Sequence, residues 1–242
     1  MSSQVLPPSD VGTNAQLLLR WIHVVAGILW IGLLYFFNLV TPQVMPKFDG
    51  PTRGKVVETL LPPALWWFRW SAVVTVLAGF IYWVLLLSWE PPGAAGKFTW
   101  VTVGEWFLYA VLIWIAYYLA LQMPAVAKNG WIVAALVVVL VGWFAYHFVT
   151  HNVFAGMSNR TISIGVGGGI GFFLLLNVWG LVWPAQKRLI AWTKENPGAA
   201  PPPELAKRLR QAQLASQTGF WLTIPILFFM VAASHYPLFS GR

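Results

Sequence analysis

The sequence predicts an all-α integral membrane protein, a bundle of six transmembrane helices forming one domain over residues 1–242. Three observations carry this. Of the 242 residues, 58% are hydrophobic and only 9% charged, against about 25% charged in an ordinary soluble domain. Mean hydropathy is +0.68, more apolar surface than a water-soluble fold of this size can bury. Six apolar stretches each approach the roughly 20 residues that a helix needs to cross a bilayer.

The spans fall near residues 16–40, 67–88, 103–122, 131–150, 164–183 and 218–236. Pro-, Gly- and charge-containing loops separate them, among them 41–63 and 90–97. None of the runs alternates in polarity as a barrel strand would. The first is not a cleavable signal, because no Lys or Arg precedes Arg20 and the apolar run is too long.

Six spans put both termini on one side. With them lie Arg20, Lys97, Arg160 and Arg242. The opposite side holds the other eleven of the 15 basic residues: Lys47, Arg53, Lys55, Arg69, Lys128, Lys187, Arg188, Lys194, Lys207, Arg208 and Arg210. The positive-inside rule makes the richer side cytoplasmic and the termini periplasmic, in a bacterial inner membrane. The net charge of +8 is thereby a matter of orientation, and no nucleic-acid partner is expected. The long cytoplasmic loop, 184–217, contains a Pro-rich piece and then a stretch, 204–216, that reads as an interfacial helix on anionic headgroups, with Leu205 and Leu209 on one face. Residues 53–61 form a similar short piece.

The chain has no cysteine, which removes thiolate metal sites and covalent c-type haem. Any metal site must then use His, Met, carboxylate or backbone, and the chain has only four histidines. His23 lies early in the first span, His147 and His151 at the end of the fourth, and His235 at the end of the sixth, so all four are expected in the periplasmic third. Ionisable groups inside a membrane are costly and by default mark function. Imidazole ligates haem iron, copper and zinc. His147 and His151 share a helix face about 6 Å apart. They can chelate one small ion, or serve one or two haems near the same surface.

Around His23, Gly27 and Trp30 share its helix face, and a glycine there leaves room for a flat macrocycle. Arg20 is placed to meet a propionate or an anionic substrate. Glu105 opens the third span as a proton acceptor, a partner for a histidine N–H, or a carboxylate facing the helix dipole. Gly165, Gly167, Gly168, Gly169 and Gly171 lack the spacing and the preceding strand of a dinucleotide loop. They read as small-residue contacts that admit a helix or a flat cofactor. Asn38 and Asn177 read as interhelical hydrogen bonds. Walker A, nucleophile-elbow and H-E-x-x-H motifs are absent.

Residues 20–38 (RWIHVVAGILWIGLLYFFN), 177–187 (NVWGLVWPAQK) and 224–236 (IPILFFMVAASHY) resemble the transmembrane domain of membrane-bound bacterial urate oxidases. The first of these is also similar, more weakly, to copper-resistance-type membrane proteins and a membrane protoporphyrinogen oxidase. The resemblance implies a helical membrane domain that oxidises urate and passes electrons to a fused cytochrome c domain. With no cysteine and an end at Arg242, this chain is expected to use a separate cytochrome c or a quinone instead. The leading expectation is a protein binding one or two haem b groups non-covalently, with His23 as one ligand and His147, His151 or His235 as the other. The alternatives are an accessory subunit of a larger respiratory or photosynthetic complex, and copper handling by the histidines.

Overall fold

A computed structural model describes residues 10–90 and 99–239, and these are all-helical. Lys97 and Arg242, both placed above on the sparsely basic side, lie outside the described residues, as does most of the 90–97 loop.

Helix α1 (Val11–Tyr35) is capped by the Asp10 carboxylate, which accepts from the Thr13 amide at 2.7 Å; that bond holds the carboxyl below its usual pKa. The helix runs on through a five-residue π-turn, Phe36–Val40, into α2 (Thr41–Val44) and a 3-10 turn, Met45–Lys47. Then come α3 (Gly50–Thr59), α4 (Leu61–Trp89), α5 (Thr99–Gln122), α6 (Pro124–Lys128) and α7 (Gly130–Phe154). Helix α8 (Asn159–Asn177) passes through a second π-turn, Val178–Val182, into α9 (Trp183–Glu195), and α10 (Pro203–His235) closes the described chain. Six of these helical stretches are long and apolar enough to cross a membrane, and they coincide with the six expected spans.

Two helices run on past the expected span ends at residues 40 and 183, each through a proline. Pro42 and Pro184 each follow a π-turn by two residues. Proline has no N–H and its ring presses on the carbonyl four residues back. The wider π-turn lets the helix pass that point. Side chains then meet exposed carbonyls: Asn38 Nδ2 donates to Leu34 O at 2.8 Å and Thr41 Oγ1 to Phe36 O at 3.2 Å.

The stretch 204–216 is not a separate interfacial helix. It is the first half of α10, continuous with the last span. Leu205, Ala212, Leu214 and Ala215 are buried there. Gln211 Nε2 donates to Leu121 O at 2.9 Å and to Gln122 Oε1 at 3.1 Å. Packing against the end of α5 therefore outweighs a seat on headgroups.

In lipid, apolar burial does not drive helices together; close packing and interhelical hydrogen bonds do. Helix α8 sits at the centre, touching α4, α5, α7 and α10. Its span is 72% buried, against 17% for the first. Its glycines permit this. A β-carbon on Gly169 would strike the Phe144 ring, and one on Gly165 would lie 2.5 Å from Phe148. Indole N–H groups pin the neighbours to α8: Trp83 donates to Thr161 O at 2.9 Å and Trp106 to Gly165 O at 2.8 Å. Both expected asparagine bonds form, from Asn38 to Ser216 Oγ at 2.8 Å and from Trp114 Nε1 to Asn177 Oδ1 at 3.0 Å.

Candidate functional site

Between α1, α4, α8 and α10 lies a partly open cavity of about 590 Å³, within the range of small-molecule and cofactor sites. Glycine makes much of the room. Gly27 and Gly32 line it from α1, Gly79 from α4, and Gly167, Gly168 and Gly171 from α8. A β-carbon on Gly32 or Gly171 would meet nothing within 4 Å. The α8 glycines thus divide their work: Gly165 and Gly169 seat the phenylalanines of α7, while Gly168 and Gly171 hold space open.

His23 lines this cavity. Its Nδ1 lies 2.7 Å from the carbonyl oxygen of Thr75. A carbonyl only accepts, so Nδ1 carries the proton and Nε2 keeps the lone pair. This is how proteins orient a ligating histidine, with the second ring nitrogen donating to a fixed acceptor. Gly79 makes the arrangement possible: a β-carbon there would sit 2.6 Å from His23 Nδ1. Neither Thr75 nor Gly79 was singled out from sequence. The available signal was that Gly79 is the only glycine in the 29 residues of α4.

Trp30 is buried and also lines the cavity, beside Gly27, whose absent side chain brings Thr75 close. Arg20 lines the end nearest the α1 N-terminus, its guanidinium 6.0 Å from the Tyr82 ring.

The other histidines lie elsewhere. His151 Nδ1 pairs with Glu105 Oε2 at 3.2 Å, tying α7 to α5. His147 is exposed, one turn earlier, with its ring 4.6 Å from that of Trp143. His235 is the exposed last residue of α10. None of the three lines the cavity, nor does Glu105. Measured along their helices, His23 is twelve residues inside α1, whereas His235 ends α10. Among the described residues no three of His, Asp and Glu converge as a metal site.

The sequence model of the urate oxidase N-terminal family matches residues 48–242. The chain belongs to that family. No curated protein and no solved structure matches it. The urate oxidase N-terminal match includes the 177–187 and 224–236 motifs and three walls of the cavity, on α4, α8 and α10. Helix α1, with Arg20, His23, Gly27 and Trp30, precedes the matched residues. In this member of the urate oxidase N-terminal family, the histidine on the cavity is therefore supplied by the helix that lies outside the family match.

Proposed function

We propose that this urate oxidase N-terminal family member is a membrane haem b protein that transfers electrons, with the haem held in the glycine-lined cavity by His23 Nε2. The observation that carries the reading is the pairing of a large apolar cavity with one histidine whose other ring nitrogen is fixed on a backbone carbonyl. When bound, haem b supplies a one-electron redox couple. The chain's own residues supply the rest. Thr75 fixes the tautomer and the orientation of the imidazole. Gly79 makes room for the imidazole. The walls offer an apolar surface to the macrocycle. His23 is the only histidine on the cavity, and the thioether of Met230 also lines it; the reading therefore assigns one imidazole ligand and leaves His147, His151 and His235 outside the coordination sphere.

Family membership supports urate or a related small molecule as electron donor, with a cytochrome c or a quinone as acceptor. The excess of basic residues supports a cytoplasmic position for α2, α3, α9 and the start of α10, and a periplasmic one for Asp10 and Phe239.

The test is the absorption spectrum of the purified protein with a pyridine haemochrome assay. A Soret band and b-type reduced bands are expected, and His23→Ala should abolish them. A colourless wild-type protein, or a His23→Ala variant with full haem content, would overturn the reading.

A further inference from the structure

Behind the end of the cavity that carries Arg20, in contact with the lining residue Tyr82, lies a second arginine that sequence reasoning did not single out. Arg160, in the first turn of α8, donates through Nη2 to the Tyr82 hydroxyl, and its guanidinium lies 5.7 Å from the Tyr82 ring. Arg20 approaches the same ring from α1, at 6.0 Å. Two guanidinium groups thus share one phenol. Among the described residues neither has a carboxylate partner. The nearby Glu90 accepts from the Ser158 amide, the Ser158 hydroxyl and Thr161 Oγ1, which commits it to the start of α8. The Nε of Arg160 is buried and has no hydrogen-bond partner among the described residues.

Arg20 is exposed and Arg160 half-buried, and an anion at their shared phenol would meet two charges that no described carboxylate already holds. The donor directions fit one. Because the Tyr82 oxygen accepts from Arg160, its own O–H is left to donate, and a donor that is itself polarised by a cation is a stronger one. Tyr82, Arg20 and Ser234 all line the cavity, Ser234 from α10. Guanidinium and hydroxyl donors together suit a carboxylate. The wall below them is apolar and glycine-rich.

We propose that Arg20 and Tyr82, with Arg160 positioning Tyr82, form a carboxylate clamp at one end of the cavity, so that its ligand is an acidic amphiphile with its apolar body inside and its acid group on the clamp. Haem b, with two propionates, is one source of that chemistry, and to that extent the inference rests on the reading above. A fatty acid is the other source.

The experiment measures equilibrium binding to the full-length protein in detergent, using haem b against its dimethyl ester, and oleate against oleyl alcohol. A charge-assisted hydrogen bond predicts that each acid binds about tenfold or more tighter than its neutral twin. Arg20→Gln, Arg160→Gln and Tyr82→Phe should each shrink that preference, and Arg20→Lys should keep part of it. Equal binding of acid and neutral forms by the wild-type protein would overturn the clamp, whatever the variants do. Haem and its ester binding alike would leave the haem reading standing and remove the clamp. Preference for oleate with no binding of haem would support the clamp and remove the haem reading. Failure of all four probes to bind would overturn both.

Discussion

The Nδ1 atom of His23 donates to the carbonyl oxygen of Thr75 across 2.7 Å, between residues 52 apart in the chain. The bond exists because α1 and α4 run antiparallel in close contact, and because position 79 carries no side chain. Gly79→Ala should push the imidazole off the carbonyl. Bound haem, read as Soret absorbance per protein, should fall several-fold, while helical circular dichroism stays at the wild-type level. Gly104→Ala is the control: that glycine lies away from the cavity and has nothing within 4 Å of its missing β-carbon. Equal haem content in the two variants would sink the assignment.

Two glycines one half-turn apart on α8 should respond in opposite ways. Gly169→Ala drives a methyl group into the Phe144 ring and should cost about 1–3 kcal/mol, as overpacking does. Phe144→Leu in the same chain should recover part of that loss. Gly171→Ala meets open space and should be neutral, or stabilising by up to about 1 kcal/mol, as Ala replaces Gly in a helix. Reversible unfolding in mixed detergent measures both.

The cavity can be filled without touching its polar groups. Gly171→Leu should leave folding intact and displace the ligand, because its side chain would occupy the space that a bound molecule needs. A spectrum unchanged from wild type would place the ligand elsewhere in the bundle.

The pair formed by Glu105 and His151 is outside the cavity. Glu105→Gln and His151→Ala should therefore retain haem at the wild-type level, as should His147→Ala and His235→Ala. Loss of haem in any of the four would restore that residue to the coordination scheme and argue against ligation by His23 alone.

Orientation can be tested directly because the chain has no cysteine, so an introduced thiol reports alone. Ala199→Cys, in the exposed turn between α9 and α10, should resist a membrane-impermeant maleimide in intact cells and react after lysis. Val11→Cys, 81% exposed at the start of α1, should react in intact cells. The reverse pattern would invert the topology.

Much of the fold was legible because lipid imposes a simple demand on composition. A helix that crosses a bilayer must satisfy its backbone internally and show apolar side chains all round, and the six spans carry that signature one segment at a time. Their ends were less legible. Pro42 and Pro184 look like stops, but a π-turn two residues earlier carries the helix through each. Residues 204–216 look amphipathic enough for a headgroup surface, yet Gln211 and Leu214 are claimed by neighbouring helices.

The site was legible only in part, for a related reason. Spacing along one helix could place Arg20, His23, Gly27 and Trp30 on a common face, and the structure brings all four to the cavity. It could not say which of the other helices faced them. Glu105 meets His151 instead, on the α5–α7 flank, and the His147 ring lies against Trp143. Gly79, Thr75, Tyr82 and Arg160 became meaningful only once α4 and α8 were set beside α1.

By itself, then, the amino-acid sequence determined the solvent of this protein, the number of its spans, its charge asymmetry and a limit of four imidazoles. Those follow from transfer free energies that act on each residue separately. The tertiary structure alone decided that one histidine faces a cavity and three do not, and that two arginines share one phenol. Such facts depend on how helices rotate and approach one another, which is settled by small residues such as Gly79 and Gly169 and by hydrogen bonds between residues far apart in the chain.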